Sequence, residues 1–324
     1  MANPRPIKSE LKSKRIVFEE ERPIRWSYMK ILREYSTLKQ FYPDINPYAE
    51  VYQMRDNTYA IFTESFDGAG DPWMFLIDGP KKAMLIDTGF GVGDLKGLCH
   101  HLVGDKEIIV ANTHSHFDHA YGNCQFEVCY CHEAEVPRMR EKNNPHIWDY
   151  LFGEDGKPLF TEFDRADIVE YHPYEIVGIP DGYRFDLGDG YLVEAVHLPG
   201  HTPGQCGYYD LHNHTIFIGD TSGISDAPEG EPYPQFCKVS TLRDALVKLQ
   251  PRFDEIQGVF PGHGMLDQSG VTLQYLLDAC NHVIEHPDHY DSKREFSRWG
   301  QTRTVYTKNI YQGSAIRYSM TNIK

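Results

Sequence analysis

The sequence has no long hydrophobic run and no regular cysteine spacing. None of its 324 residues belongs to an apolar run of about 18 residues, and the charged, proline-interrupted stretch 1–26 has no apolar core. We therefore expect neither a membrane span nor a secretory signal. The seven cysteines are an odd number, which is typical of reduced thiols in the cytoplasm. These absences predict a cytoplasmic protein with no membrane partner.

An excess of basic residues is also missing. The chain has 32 Lys and Arg against 47 Asp and Glu, which gives a net charge of −15. A surface of this sign repels phosphate backbones, and the sequence contains no basic cluster long enough to form a compensating channel. We therefore expect no nucleic-acid partner, and a small molecule is the expected substrate.

Short apolar strands and amphipathic helices follow one another in two successive rounds along the chain. This order favours an α/β fold with two sheets and helices outside them. We predict a main domain over 46–290, with an irregular cap insertion near 137–180. An N-terminal arm over 1–45, with a helix at 26–41, and a C-terminal tail over 291–324 are expected to pack on the main domain or in a homodimer contact.

Histidine and aspartate occur where predicted strands end. His114 and His116 follow the strand 107–111, and their spacing in an extended loop lets both imidazoles reach one ion, while Asp118 and His119 turn toward a neighbouring position. Three further candidates each follow a strand and lie beside a glycine, which lets the backbone bend inward. They are His201, Asp220 and His263.

The composition of this set predicts the kind of site. Five histidines and two aspartates suit a borderline ion such as Zn²⁺. Seven ligands exceed the roughly three or four protein ligands that a single zinc uses. The sequence therefore predicts a two-metal site with one bridging carboxylate.

Together these motifs resemble the metallo-β-lactamase superfamily. The resemblance covers about residues 50–270. It rests on His114-Ser-His-Phe-Asp-His119, Asp87-Thr-Gly, Pro199-Gly-His-Thr-Pro-Gly, Gly219-Asp-Thr and Pro261-Gly-His-Gly. It implies an αββα sandwich, in which two mixed β-sheets carry helices on both outer faces and the site lies along one edge.

The resemblance also implies a role for each motif residue. The first of two divalent ions would be bound by three histidines, His114, His116 and His201. The second would be bound by Asp118, His119 and His263. Asp220 would bridge the ions, and Asp87 would lie behind the ligands and hold the site loop. Zinc is the expected metal, with iron or manganese as alternatives.

An activity follows from the same resemblance. A metal-bound hydroxide would attack the carbonyl of an acyl bond, and Asp118 would orient it as the catalytic residue. Because Asp220 stands where many true β-lactamases have cysteine, the pattern is similar to glyoxalase-II-type thioesterases and acyl-homoserine-lactone lactonases. We expect a metallo-hydrolase of a lactone, ester or thioester. A mononuclear iron persulfide-dioxygenase-like enzyme and β-lactam hydrolysis as a side activity are the alternatives.

Three aromatic residues near the motifs are candidates for the substrate pocket. Trp73 borders the turn-rich loop 67–72, and the corresponding hairpin of the family often covers the site. Tyr121 and Tyr233 lie close in sequence to motif residues, and a phenol could donate to a carbonyl oxygen. Packing in the core is the alternative for all three.

Overall fold

Nineteen strands and six α-helices occur in the part of the chain that the structure describes. This structure is a computed structural model, and it describes residues 7–16, 23–298, 301–310 and 314–324. The strands of the first half are β1 (Lys14–Arg15), β2 (Lys39–Phe41), β3 (Ala49–Arg55), β4 (Thr58–Thr63), β5 (Trp73–Asp78), β6 (Lys82–Ile86), β7 (Glu107–Ala111), β8 (Val128–His132), β9 (Thr161–Glu162) and β10 (Glu175–Ile179). Those of the second half are β11 (Arg184–Asp186), β12 (Leu192–His197), β13 (Cys206–Asp210), β14 (Thr215–Gly219), β15 (Gly258–Pro261), β16 (Gln268–Ser269), β17 (Ser292–Arg298), β18 (Gln301–Asn309) and β19 (Ala315–Tyr318). The helices are α1 (Pro23–Tyr35), α2 (Leu95–Val103), α3 (Phe117–Ala120), α4 (Val136–Lys142), α5 (Val239–Leu249) and α6 (Val271–Glu285).

Two mixed sheets form the centre of the fold. The first has eight strands in the order β10-β8-β7-β6-β5-β4-β3-β2, and its parallel pairs join β6, β7, β8 and β10. The second has six strands in the order β11-β12-β13-β14-β15-β16, and only β14 and β15 are parallel. One apolar cluster joins α2 to the first sheet, and another joins α5 and α6 to the second. These layers confirm the predicted αββα sandwich.

The alternation of side chains along the strands explains the layers. In β5, Phe75 and Ile77 belong to the cluster between the sheets, whereas Met74 and Leu76 belong to the cluster under α2. Successive side chains of a strand point to opposite faces, so a strand buried on both faces is apolar throughout. The ring of Phe75 lies 4.8 Å from that of Phe217 in the facing sheet. Packing in the core therefore fixes the position of one sheet relative to the other. The geometry of the candidate ligands, which both sheets carry, depends on that position.

The segments outside the main domain differ in detail from the prediction. The arm helix is α1, which ends at Tyr35 rather than at residue 41, because Lys39–Phe41 pairs with β3 instead. The insertion is irregular over most of its length, but Glu175–Ile179 forms an edge strand of the first sheet. In the tail, β17, β18 and β19 form a separate three-stranded sheet. In the described ranges, no helix combines the length and apolarity needed to cross a bilayer.

Candidate metal centre

The predicted ligands lie at one edge of the sandwich. Strand β7 of the first sheet leads into a loop with His114 and His116, and then into α3 with Asp118 and His119. In the second sheet β14 and β15 are parallel, and β12 runs in the same direction because β12 and β14 are both antiparallel to β13. The carboxyl ends of these strands therefore meet at one edge. The residues that follow them are His201, Asp220 and His263.

The structure brings all seven side chains around one centre. Within the described part of the chain, three overlapping groups have ligand atoms within 4.8 Å of one another. The groups are His114, His116 and His201; His114, His119 and Asp220; and Asp118, His119 and His263. Asp220 Oδ2 lies 3.5 Å from His201 Nε2 and 3.2 Å from His263 Nε2. Asp220 is therefore placed between the two histidine groups.

Two histidines of the first group turn lone pairs toward the third, His116. His114 Nε2 and His201 Nε2 lie 3.1 and 3.0 Å from His116 Nδ1. A carbonyl only accepts hydrogen bonds, so His201 Nδ1 donates to Gly223 O at 2.5 Å and its Nε2 carries a lone pair. His114 Nδ1 lies 3.0 Å from Thr113 Oγ1, whose hydrogen is donated to a carboxylate, so the same holds for His114.

The second group directs two imidazole nitrogens and a carboxylate toward a common point. His263 Nδ1 donates to Asp71 O at 2.8 Å, and His119 Nδ1 donates to Asp87 Oδ2 at 2.8 Å. Their Nε2 atoms face each other at 3.3 Å, and Asp118 Oδ2 lies 3.2 Å from His263 Nε2. Without protons, atoms of these types at this spacing repel each other unless a metal cation lies between them.

One buried oxygen makes the same point independently. Asp220 Oδ1 is shielded from solvent and accepts no hydrogen bond from the described residues. A buried carboxylate oxygen without a donor is costly, and coordination of a cation removes that cost. The ligand atoms that these seven side chains offer at the centre are imidazole nitrogens and carboxylate oxygens. Divalent metal ions bind such atoms, so the residues fit divalent metal ions.

The electrostatic field of the centre supports this fit. Burial lowers the pKa of His119, but Asp118, Asp87 and Asp220 outweigh burial and raise it to about 9. Burial, followed by the neighbouring imidazoles, lowers the pKa of His114 well below its usual value. His114 is therefore a neutral imidazole, which is the form that binds metal, whereas the carboxylates favour a positive charge at His119, which a bound metal ion would supply in place of the proton.

Asp87 supports the ligand loop from behind. It directly follows β6 and has a left-handed backbone conformation, with φ at 63°, which Asp tolerates better than most residues. Its buried carboxylate accepts hydrogen bonds from Thr113 N at 2.7 Å and Thr113 Oγ1 at 2.8 Å, besides that from His119. Sequence reasoning missed Thr113, although its place between β7 and His114 was a signal.

Trp73 is not a pocket residue, which corrects the prediction. Its side chain is fully buried, and its ring packs edge-on against Phe62 at 5.1 Å and Tyr52 at 5.7 Å. Its backbone N–H donates to Gly262 O at 2.8 Å, and its indole N–H donates to Gly264 O at 3.0 Å. Trp73 therefore supports the loop of His263 from within the core, because its bulk and both donors are already engaged.

The two tyrosines differ in position. Tyr121 is buried and packs against Phe117 at 6.2 Å, and burial raises its pKa above the usual value. Tyr233 is half-buried and stacks on Phe236 at 6.3 Å, and none of the contacts described for it reaches a candidate ligand. Sequence reasoning missed Phe117, whose half-buried ring stacks on His116 at 5.9 Å and contacts Tyr150 of the insertion at 5.7 Å.

A cavity of about 460 Å³ lies apart from this centre. It opens beside the start of α2, and its lining includes Tyr48, Asp94 and Asp167. None of the seven candidate ligands lines it. The concentration of titratable groups, rather than cavity size, therefore identifies the candidate site.

Gly262 provides a first test of the centre. A Cβ atom at this position would lie 2.5 Å from Asp220 Oδ1 and 2.8 Å from His119 Cε1, so Gly262→Ala must displace a ligand. We expect kcat/KM to fall by about 10²-fold, the typical effect of a misplacement near 1 Å, and zinc content to fall with it.

Gly153→Ala is the matched control for this variant. The nearest atoms to a Cβ there would be the side-chain ends of Leu159 at 3.2 Å and Asp155 at 3.3 Å, and Lys157 O would lie at an ordinary contact distance of 3.9 Å. It should leave kcat/KM and zinc content near those of the unmodified protein. Normal zinc content and kcat/KM in Gly262→Ala would contradict the crowded geometry described here.

An αββα sandwich with this set of ligand atoms at its edge defines a metal-dependent hydrolase, and comparisons with known proteins identify the family. The sequence model of the metallo-beta-lactamase superfamily matches residues 67–263, which is more than half of the chain. The chain therefore belongs to the metallo-beta-lactamase superfamily.

Curated relatives and solved structures agree with this assignment. The human acyl-coenzyme A thioesterase MBLAC2 is 24% identical over 222 residues, which cover 64% of this chain and 78% of the relative. The hydroxyacylglutathione hydrolase GloC of Haemophilus influenzae is 27% identical over 197 residues, covering 58% and 82%. A metallo-beta-lactamase from Pontibacter korlensis has a TM-score of 0.50 and 16% identity, covering 71% of this chain and 97% of the other, and it shows the fold.

Proposed function

We propose that the protein is a dinuclear zinc hydrolase that cleaves the acyl bond of a small molecule, with an acyl thioester as the first candidate substrate. The observation that carries this proposal is the position of Asp220 between His201 and His263. A carboxylate that lies within 3.5 Å of both histidine groups suits a pair of ions better than a single one. Lactones and oxygen esters are the other members of the proposed substrate class.

Within this proposal, the ligand sets follow the two halves of the centre. His114, His116 and His201 would hold one ion, and Asp118, His119 and His263 the other, with Asp220 shared. Divalent ions bound here would polarise the acyl carbonyl and make water nucleophilic at neutral pH. Hydrogen bonds from the Nδ1 atoms keep four of the imidazole rings oriented, which is the usual task of residues behind metal ligands. These four are His114, His119, His201 and His263.

Asp118 is the residue that we assign to the attacking water. Its carboxylate is nearly buried, with 4% of the residue exposed, and its Oδ2 lies 3.2 Å from His263 Nε2. From this position it can orient a water molecule and accept its proton. A residue that both holds a ligand position and moves a proton needs little reorganisation during the reaction.

The chemistry of the centre favours a thiol as leaving group. With the imidazoles bound to metal, Asp118 would be the one side chain among the seven that carries a proton, so the centre suits a leaving group that departs readily as an anion. A thiol has a pKa of about 8.5 and leaves as thiolate far more readily than an amine or an ordinary alcohol leaves as anion. The names of the human and Haemophilus relatives, which both concern acyl groups on a thiol carrier, support the same choice.

The acyl group would meet an aromatic surface beside the first histidine group. Phe117 stacks on His116, and Tyr150 of the insertion contacts Phe117. Both residues are half-buried, so part of each ring is accessible. Such a surface stabilises an apolar acyl chain better than a charged one.

A matched substrate panel tests the proposal. We expect the zinc-loaded protein to hydrolyse an acyl-coenzyme A thioester faster than the oxygen ester, the homoserine lactone and a β-lactam of comparable size. A strong chelator should abolish hydrolysis, and added zinc should restore it. Thiol release that persists after metal removal would contradict the mechanism. Uptake of O₂ with a persulfide, in a protein that holds one iron, would replace it with the oxygenase alternative.

A further inference from the structure

Glu135 is a buried carboxylate outside the ligand set. It follows β8 in a short 3₁₀ turn, directly before α4, and it is fully shielded from solvent. Within the described residues no ion pair involves it. A buried ionised group is costly unless donors surround it, so its contacts should show what it stabilises.

Each oxygen of Glu135 binds a different loop of the metal centre. Oε1 accepts hydrogen bonds from Ser115 N at 2.9 Å and Ser115 Oγ at 2.5 Å, and Ser115 lies between His114 and His116. Oε2 accepts from Thr202 Oγ1 at 2.7 Å and Gly204 N at 2.9 Å. One side chain therefore links the loop of the first two histidines to the loop that follows His201.

The packing around Glu135 leaves this link little freedom. Ser115 is 1% exposed, and Thr202 is fully buried. A Cβ atom at Gly204 would overlap the backbone and Cβ of Glu135, so the two chain segments are in direct contact. A displacement of the Glu135 carboxylate would therefore move both histidine loops together.

Two carboxylates thus divide the support of the centre. Asp87 binds His119 of the second group directly, and it reaches His114 of the first group only through Thr113. Glu135 binds only loop residues next to the three histidines of the first group. We propose that Glu135 is a positioning residue that sets the affinity of the ion held by His114, His116 and His201. This inference rests on the metal centre proposed above.

Glu135→Gln is the variant that tests it. Glutamine has the same shape, but its NH₂ group would face one hydroxyl and one backbone N–H. The hydroxyl can rotate and accept, whereas the backbone N–H of Ser115 or Gly204 loses its acceptor and opposes another donor. We expect the zinc affinity of one ion to fall by about 10–100-fold, the usual effect of removing a residue behind metal ligands, and the affinity of the other ion to be unchanged. Competition with a chromophoric chelator measures both constants without substrate.

Two backgrounds assign the effect to a particular ion. In a His263→Ala protein the three-histidine group is intact, and Glu135→Gln should still weaken zinc binding there. In a His201→Ala protein that group is already broken, and Glu135→Gln should have no effect on the ion that remains. The visible spectrum of the Co²⁺-loaded protein should change in the first background and not in the second.

Glu50→Gln is the matched control, because Glu50 is equally buried but belongs to a network around Arg33. It should lower thermal stability without changing zinc affinity. If Glu135→Gln only lowers stability and binds both ions normally, the inference is wrong. Should Glu135→Gln fail to fold, Thr202→Val removes a single hydrogen bond to Oε2 and should weaken the same ion several-fold; unchanged affinity would overturn the inference. An unmodified protein that binds no zinc would overturn the centre itself.

Discussion

Asp220→Asn is expected to reduce kcat/KM by about 10³-fold, at the upper end of what loss of one preorganised electrostatic group costs an enzyme. The carboxylate lies between His201 Nε2 and His263 Nε2, and its Oδ1 has no donor among the described residues. Asparagine removes the negative charge and turns an NH₂ group toward a cation. The protein should therefore also retain fewer than two zinc ions after gel filtration, as measured by elemental analysis.

Asp226→Asn is the control for this variant, since Asp226 lies six residues further along the same segment. Its carboxylate accepts hydrogen bonds from Ser319 Oγ and Thr321 Oγ1 of the tail rather than facing the centre. It should keep two ions and nearly normal kcat/KM. If Asp220→Asn keeps both ions and its activity, Asp220 does not bridge, and the proposal of a metal pair loses its main support.

The meeting of the candidate ligands at one edge could be predicted because the position of each depends on local rules. Each candidate follows a strand, and strands that run in one direction place their carboxyl ends at one edge. The glycines beside them adopt backbone conformations that other residues avoid, with φ of 134° at Gly200 and 51° at Gly219. The two rounds of strands and helices likewise predicted two sheets with helices outside, and the family resemblance implied the sandwich.

Other features depend on contacts between distant parts of the chain. Glu135 lies 20 residues from Ser115 and 67 from Thr202, and neither spacing forms a motif. Trp73 looked like a pocket residue because it borders a loop, but its indole N–H is used by Gly264 O. The end of α1 was misplaced because Lys39 pairs with Tyr52, and such tertiary pairing overrides local helix propensity.

The arm is held to the main domain by a buried charge network around Arg33. The Arg33 side chain in α1 is 3% exposed, and its guanidinium binds Glu50 at 2.8 Å and Glu64 at 3.4 Å. It also lies 4.3 Å over the ring of Phe62. Ser13 Oγ donates to Glu64 at 2.8 Å, so the first described segment joins the same network. Through these contacts α1 packs against β3 and β4.

Arg33→Met should lower the free energy of unfolding by about 3–5 kcal/mol, because Glu64 loses its ion-pair partner and Glu50 keeps only Lys39. For a chain of this size the melting temperature should fall by roughly 4–7 °C. The triple variant Arg33→Met, Glu50→Gln, Glu64→Gln should recover much of the loss, since no buried charge then lacks a partner.

Lys81→Met, which breaks an exposed ion pair with Asp189, should leave the melting temperature unchanged. Zinc affinity should be normal in all three variants. If Arg33→Met melts like the unmodified protein, the network does not anchor the arm.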